Sequence, residues 1–315
     1  MTRPQRAGAS APVLLVLSAA SFGLTWVAGP WASDEIPPLV VAFARFSIAA
    51  VLLFAFCRWR GVPIPLRRAD IPLVIGVTAT SVVIYNILFL YGVRLAAASH
   101  GAVIVPGFIP IITLVLARIV LDEAVGWRRA AGAVVALVGL ALVVGPAFAG
   151  GADELLGDLM FVAGALTWAV YAILGRAATK RFHAAAITFL SAALGAVTFA
   201  GLTLVIEPTG FAALGTASIR ALAGVVYLGT FGTVLSFVFF YLGVERIGAA
   251  RASAYAVLIP LFGVAATVTI LGEPIEPASL LGAGLVVIGL VLMQAREQAA
   301  QPVAETAPGG SPARS

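Results

Sequence analysis

The chain has 315 residues, of which 61% are hydrophobic and only 10% charged, and a mean hydropathy of +1.08; a soluble domain carries charge on about 25% of its residues, so that class is excluded. The net charge of +5 is spread over short loops rather than gathered into one stripe, which excludes a nucleic-acid-binding surface. A single cysteine, Cys57, excludes a disulfide framework and reads as small apolar filler.

Roughly 20 apolar residues cross a bilayer, and apolar runs of that size occupy 11–31, 37–57, 71–92, 97–121, 130–148, 155–174, 184–206, 219–243, 249–271 and 277–294. They predict an all-α membrane protein of ten transmembrane helices. The runs do not alternate in polarity as barrel strands would, and their glycines and prolines are tolerated in spanning helices because neighbouring groups satisfy the freed backbone. Residues 1–10, with Arg3 and Arg6, resemble the charged start of a signal peptide. The apolar run that follows is too long for one and nine more succeed it, so the first helix is expected to be uncleaved.

With the N-terminus in the cytoplasm, inner loops hold Arg58, Arg60, Arg67, Arg68, Arg118, Arg128, Arg129, Arg176, Lys180, Arg181, Arg246 and Arg251. Counting Arg3, Arg6, Arg296 and Arg314, sixteen of the 19 basic residues fall inside. Only Arg94 and Arg220 fall outside, among Asp34, Glu35, Asp153, Glu154, Glu207, Glu273 and Glu276. This asymmetry places both termini in the cytoplasm. The tail, 295–315, is rich in Ala, Gln and Pro and is expected to be disordered.

The chain repeats itself. Pro110, Glu123, Gly132 and Gly139 recur as Pro260, Glu273, Gly282 and Gly289, each 150 residues on (110 to 260), and Tyr91, Ala102, Leu121 and Leu140 pair with Tyr241, Ala252, Leu271 and Leu290. Two homologous halves follow, 11–148 and 155–294. Each holds five predicted helices, an odd number, so the second half enters the membrane from the opposite side. Inverted repeats of this kind give a molecule two near-equivalent ways of closing, one toward each face.

Ten helices, the inverted five-plus-five repeat and the duplicated Pro, Glu, Gly, Gly frame resemble the drug/metabolite transporter superfamily, in particular EamA-type exporters, over about residues 11–294. Phe22, Gly23 and Trp26 in helix one, Thr167 and Trp168 in helix six, and Arg45 with Phe46 in helix two match further. The resemblance implies an inner-membrane carrier that moves a small organic metabolite, such as an amino acid or derivative or a drug-like solute, outward by alternating access. It also implies a cavity walled by helices one to four and six to nine, with helices five and ten outside. Expected partners are the substrate and the lipid bilayer, with a homodimer as a candidate assembly. No nucleic acid and no cofactor are expected.

Among individual residues, Arg45 is the one charge placed deep in a helix, where it costs about 2.5 to 3.5 kcal/mol if unpaired. No acid lies in a helix core to pair with it. It must face carbonyls or a wet cavity, as a clamp on broken backbone or as a partner for a substrate carboxylate. Trp26, Tyr85, Asn86, Trp168, Tyr171, Ser236, Tyr241 and Tyr255 supply the mixture of aromatic and polar groups that suits a mostly apolar pocket, although Tyr241 also fits an interfacial anchor. Pro110 and Pro260 each remove a backbone hydrogen bond in mid-helix and are expected to shape the cavity. Glu123 and Glu273 lie just past their helices, where each is expected to accept hydrogen bonds from the start of the next one. His100 and His183 read as solvated or capping residues.

The scarcity of buried acids argues against a carboxylate proton relay, and the absence of intramembrane lysine against sugar-phosphate cargo. A catalytic role is not expected, since no nucleophile with its base, metal cluster or phosphate loop is visible. The alternative is a membrane-embedded enzyme or a non-transporting scaffold.

Overall fold

The computed structural model describes residues 10–120, 126–145 and 151–294; Glu123 and the segments 1–9 and 295–315 lie outside them. The protein is an all-α multi-pass membrane protein. Among the described residues nine helices are long and apolar enough to cross a membrane, and Tyr255–Leu271 forms a shorter apolar helix.

In chain order, α1 runs as Ser10–Gly23 and, past an irregularity at Leu24, Thr25–Ser33; α2 is Pro38–Arg60. Pro38 suits the first turn of α2, where an N–H would have no partner, and Gly61 ends the helix in the left-handed region at φ +63°. Helix α3 comprises Ile71–Thr78, a π-helical stretch Ala79–Ile84 and Tyr85–Leu95. The next four are α4 (Ala98–Val120), α5 (Trp127–Val144), α6 (Ala152–Ala178) and α7 (Ala184–Ile206). Helix α8 again carries a π-helical stretch, Thr230–Leu235, between Ile219–Gly229 and Ser236–Ile247. Helix α9 is broken into Ala249–Ala254, a 3-10 turn Tyr255–Val257, Leu258–Ala266 and π-helical Thr267–Leu271, before α10 (Pro277–Gln294).

Several of the largest packing contacts recur when each helix is exchanged for the one five places on, although the contacts of α1 and α2 with α3 have no equally strong counterpart. Helix α5 packs on α10, α2 on α7 and α4 on α9, while α3 against α6 is matched by α8 against α1. The α5–α10 seam carries the most contact, and glycines make it close. A Cβ added to Gly132 would lie 2.7 Å from the Gly289 carbonyl oxygen, and one added to Gly139 would lie 2.5 Å from that of Gly282. The first glycine of one helix thus meets the second of the other, so the two helices run antiparallel. Small residues at such a seam let backbones approach, which drives helix association where lipid removes the hydrophobic incentive.

Elsewhere the interior is filled by large side chains, among them Phe161, Phe199, Leu90 and Ile104. Phe46 of α2 stacks on Phe199 of α7 at 6.0 Å. The outside of the bundle is apolar too, with Val51, Val197 and Leu281 each about two-thirds exposed, as a lipid-facing surface requires. One end of the bundle bears Arg58, Arg60, Arg67, Arg68, Arg176, Lys180 and Arg181 and is called here the basic face. The other, bearing Asp34, Glu35, Glu154, Glu207, Glu273 and Glu276, is the acidic face.

Candidate functional site

Two π-helical stretches build the centre of the molecule. A π-bulge widens a helix by one residue and leaves carbonyls and side chains out of their usual register, often at functional sites. In α8, the Thr233 hydroxyl donates to the Leu228 carbonyl at 2.8 Å, which turns its oxygen toward α2. In α3, the Asn86 amide nitrogen donates to the Val82 carbonyl at 2.7 Å, leaving its side-chain oxygen free. Both oxygens take the same guanidinium: Arg45 Nε donates to Thr233 Oγ1 at 3.0 Å and Nη1 to Asn86 Oδ1 at 2.8 Å. Arg45 is 8% exposed and lies 5.3 Å from the Phe46 ring. Its partners are therefore neutral side chains rather than backbone carbonyls, and hydrogen bonds of this charged kind are each worth about 1.5 to 3 kcal/mol.

Arg45 lines one of two adjoining pockets that share a wall, the two lobes of a candidate site. The polar lobe, about 130 Å³, is bounded by Arg45, Ser81, Asn86, Tyr171, Ser191 and Thr233 and reaches Thr179 and Ala184 toward the basic face. The second lobe, about 230 Å³, is walled by Phe22, Trp26, Pro106, Phe240 and Tyr255 and reaches Leu15 and Ile109. Tyr85, Trp168 and Phe237 line both. Tyr85 lies 4.8 Å from Trp168, which in turn meets Tyr171 at 5.2 Å. In the polar lobe Ser191 Oγ is buried without a hydrogen-bond partner among the described residues.

Toward the acidic face the cavity is sealed. Trp26 packs edge-on against Phe89 at 5.0 Å and Phe161 at 5.4 Å. Gly263 of α9 and Ala102 of α4 touch so closely that an added Cβ on the glycine would stand 2.8 Å from the alanine's. Above this layer, Glu273 accepts the N–H groups of Ala98 and Ser99 at 2.9 Å each, tying the end of α9 to the start of α4. Glu35 similarly accepts the Ser218 N–H at 2.7 Å and its hydroxyl at 2.5 Å, and the Tyr91 hydroxyl donates to Glu207 at 3.0 Å. The two Ser218 hydrogen bonds, with help from Arg220, hold the Glu35 carboxyl below the ordinary glutamate range.

Of the residues singled out in the sequence, Arg45, Tyr85, Asn86, Trp168 and Tyr171 come together in the polar lobe, and Trp26 and Tyr255 line the second. Ser236, Pro110 and Pro260 line neither. Ser236 is buried and receives the Ser18 hydroxyl on its carbonyl at 2.8 Å. Pro260 lines a groove between α9 and α10, and Pro106 rather than Pro110 meets the cavity. Tyr241 stands at the basic face, 3.2 Å from His183 Nε2, while His183 Nδ1 accepts the Ala185 N–H at the start of α7.

Three expectations change. Glu273 caps α4 rather than the helix that follows it, accepting the N–H groups of Ala98 and Ser99 across the bundle. His100 is neither solvated nor alone: it is 9% exposed, and its Nδ1 lies 3.2 Å from both carboxylate oxygens of Asp158. Asp158, in α6 and fully buried, is thus an acid inside a helical segment, although it sits near the acidic face, away from Arg45.

The model of the EamA-like transporter family matches this chain twice, over residues 9–145 and 155–294. The chain belongs to that family. This EamA-like chain is 25% identical over 281 residues to an uncharacterised transporter of Archaeoglobus fulgidus, covering 89% of this chain and 97% of the relative. It is 26% identical over 257 residues to a probable terminal-alkyne amino-acid exporter of Streptantibioticus cattleyicolor, covering 81% and 84%. A solved crystal structure matches with a TM-score of 0.66 at 18% identity, covering 94% of this chain and 99% of the other, which is a likeness of fold.

Proposed function

We propose that this family member is a ten-helix carrier, built from two inverted five-helix repeats, that exports a small organic metabolite by alternating access. The observation that carries this reading is the one-sided cavity: a pocket containing a buried cation and an aromatic wall reaches the basic face and is closed toward the acidic face. The crosswise glycine pairing of α5 with α10 and the double family match support the inverted repeats. The positive-inside rule makes the basic face cytoplasmic, so the conformation is inward-open and both termini lie in the cytoplasm. The probable exporter among its relatives supports loading from the cytoplasm and release on the acidic face.

Two experiments test this. Reporters fused after Gly61 and Thr179 should read as cytoplasmic and those after Ser33 and Gly151 as external; a cytoplasmic reading at Gly151 would make the halves parallel. Strains with and without the gene, challenged with a panel of organic acids, amino acids and their derivatives, should differ in sensitivity to at least one, followed by efflux from proteoliposomes. Identical growth across the panel, with no efflux, would leave a non-transporting scaffold as the better account.

A further inference from the structure

The charge and shape of the cavity limit what it takes, an inference that rests on the carrier reading above. A guanidinium has five N–H donors. Arg45, which lines the polar lobe, commits Nε and one Nη1 hydrogen to Thr233 and Asn86, both neutral acceptors, which leaves three of its donors uncommitted among the described residues. Among the described residues no carboxylate lines either lobe. The cavity therefore holds a fixed positive charge with no negative one to balance it.

A monocarboxylate brings that charge to zero and presents the planar pair of oxygens that a guanidinium binds best. A zwitterion adds an ammonium for which the lobes provide no carboxylate, and an organic cation adds a second positive charge in a site of low dielectric. Beyond Arg45 the shared wall of Tyr85 and Trp168 leads into the lobe formed by Phe22, Pro106 and Tyr255, which suits an apolar body. We propose that the substrate class is an amphipathic monocarboxylate, its carboxylate on Arg45 and its apolar or aromatic body in the second lobe. An N-acylated amino acid belongs to this class; a free amino acid does not.

The test uses four probes with one phenyl body: 3-phenylpropanoate, 3-phenylpropanamide, phenylalanine and 2-phenylethylamine. Binding to the full-length protein purified in detergent is read by calorimetry and by ligand-induced thermal stabilisation. The expected order places the propanoate at least about tenfold tighter than each of the others, a step of about 1.4 kcal/mol. Arg45→Gln should remove that preference. The amide makes the comparison independent of whether the variant folds, since it deletes the ligand's charge instead of the protein's. Equal or tighter binding of the amide, phenylalanine or the amine, or no binding by any probe, would overturn the proposal. The carrier reading is tested separately by two-sided labelling of the cavity, which needs no ligand, so either idea fails without the other.

Discussion

Replacing Gly139 by alanine adds one methyl group to the α5–α10 seam. That Cβ would stand 2.5 Å from the Gly282 carbonyl oxygen, 2.8 Å from the Val286 nitrogen and 2.9 Å from the Leu285 Cβ, where ordinary contact lies at about 3.5 to 4.0 Å. Two of those atoms are backbone, so no rotamer change relieves the clash and the helices must part by about 1 Å, forfeiting a quarter to a half of the dispersion energy along the seam. Overpacking of this kind costs about 1 to 3 kcal/mol. Alanine recovers up to about 1 kcal/mol in helix propensity, so the net effect is destabilising. Gly284 of α10 is the internal control, since a Cβ there meets nothing within 4 Å. Thermal unfolding in detergent, followed by the fraction surviving size-exclusion chromatography, should place Gly139→Ala and Gly282→Ala several degrees below Gly284→Ala, at roughly 2 to 4 °C per kcal/mol. Equal midpoints for the three variants would refute the close approach and the antiparallel seam built on it.

Arg45→Ala should reduce transport at least about tenfold, or 1.4 kcal/mol, while changing the thermal midpoint less than Gly139→Ala does. Removing a buried charge relieves about 2.5 to 3.5 kcal/mol, which offsets most of the two charged hydrogen bonds to Asn86 and Thr233 at about 1.5 to 3 kcal/mol each; a matched loss of fold and activity would make Arg45 a structural clamp. Glu273→Gln weakens the tie between α9 and α4 and should raise the outward-open to inward-open ratio about tenfold, read as faster thiol labelling of Ser99→Cys with Cys57 replaced by serine. An unchanged rate would show that Glu273 caps α4 without gating it. At Glu35 the folded carboxyl titrates below its unfolded value, so its contribution is present above the unfolded pKa and is lost as pH falls through the lower, folded one. Stability measured against pH should show an acid-side loss that Glu35→Gln lacks; identical profiles would remove Glu35 from the acid response.

The apolar runs made the helices legible, and the recurrence of Gly132 and Gly139 as Gly282 and Gly289 pointed to two halves; that the four glycines form one seam was not legible, because it depends on which helices meet in space. Arg45 stood out because a lone charge in an apolar run is costly wherever it points. Its partners did not, because Asn86 and Thr233 lie 41 and 188 positions away and meet it only through two π-bulges. A π-bulge inserts one residue into a helix whose neighbours are apolar on nearly every side, so it leaves no break in periodicity to read. His100 and Asp158 were hidden for a similar reason: 58 residues apart on different helices, each looks like a solvated helix-end residue until α4 and α6 are packed together. Glu273 was recognised as a cap, but its target depended on which helix start lay nearest in space.

The claim that one cavity opens to each face in turn is tested most directly at Ser191, which lines the polar lobe. Ser191→Cys, in a chain whose Cys57 is replaced by serine, would be treated with an impermeant thiol reagent from one face at a time in oriented vesicles, with and without Glu273→Gln. Alternating access predicts reaction from both faces, faster from the cytoplasmic one, with Glu273→Gln raising the external rate and lowering the internal rate together. Reaction from the cytoplasmic face alone, at a rate indifferent to Glu273→Gln, would contradict it.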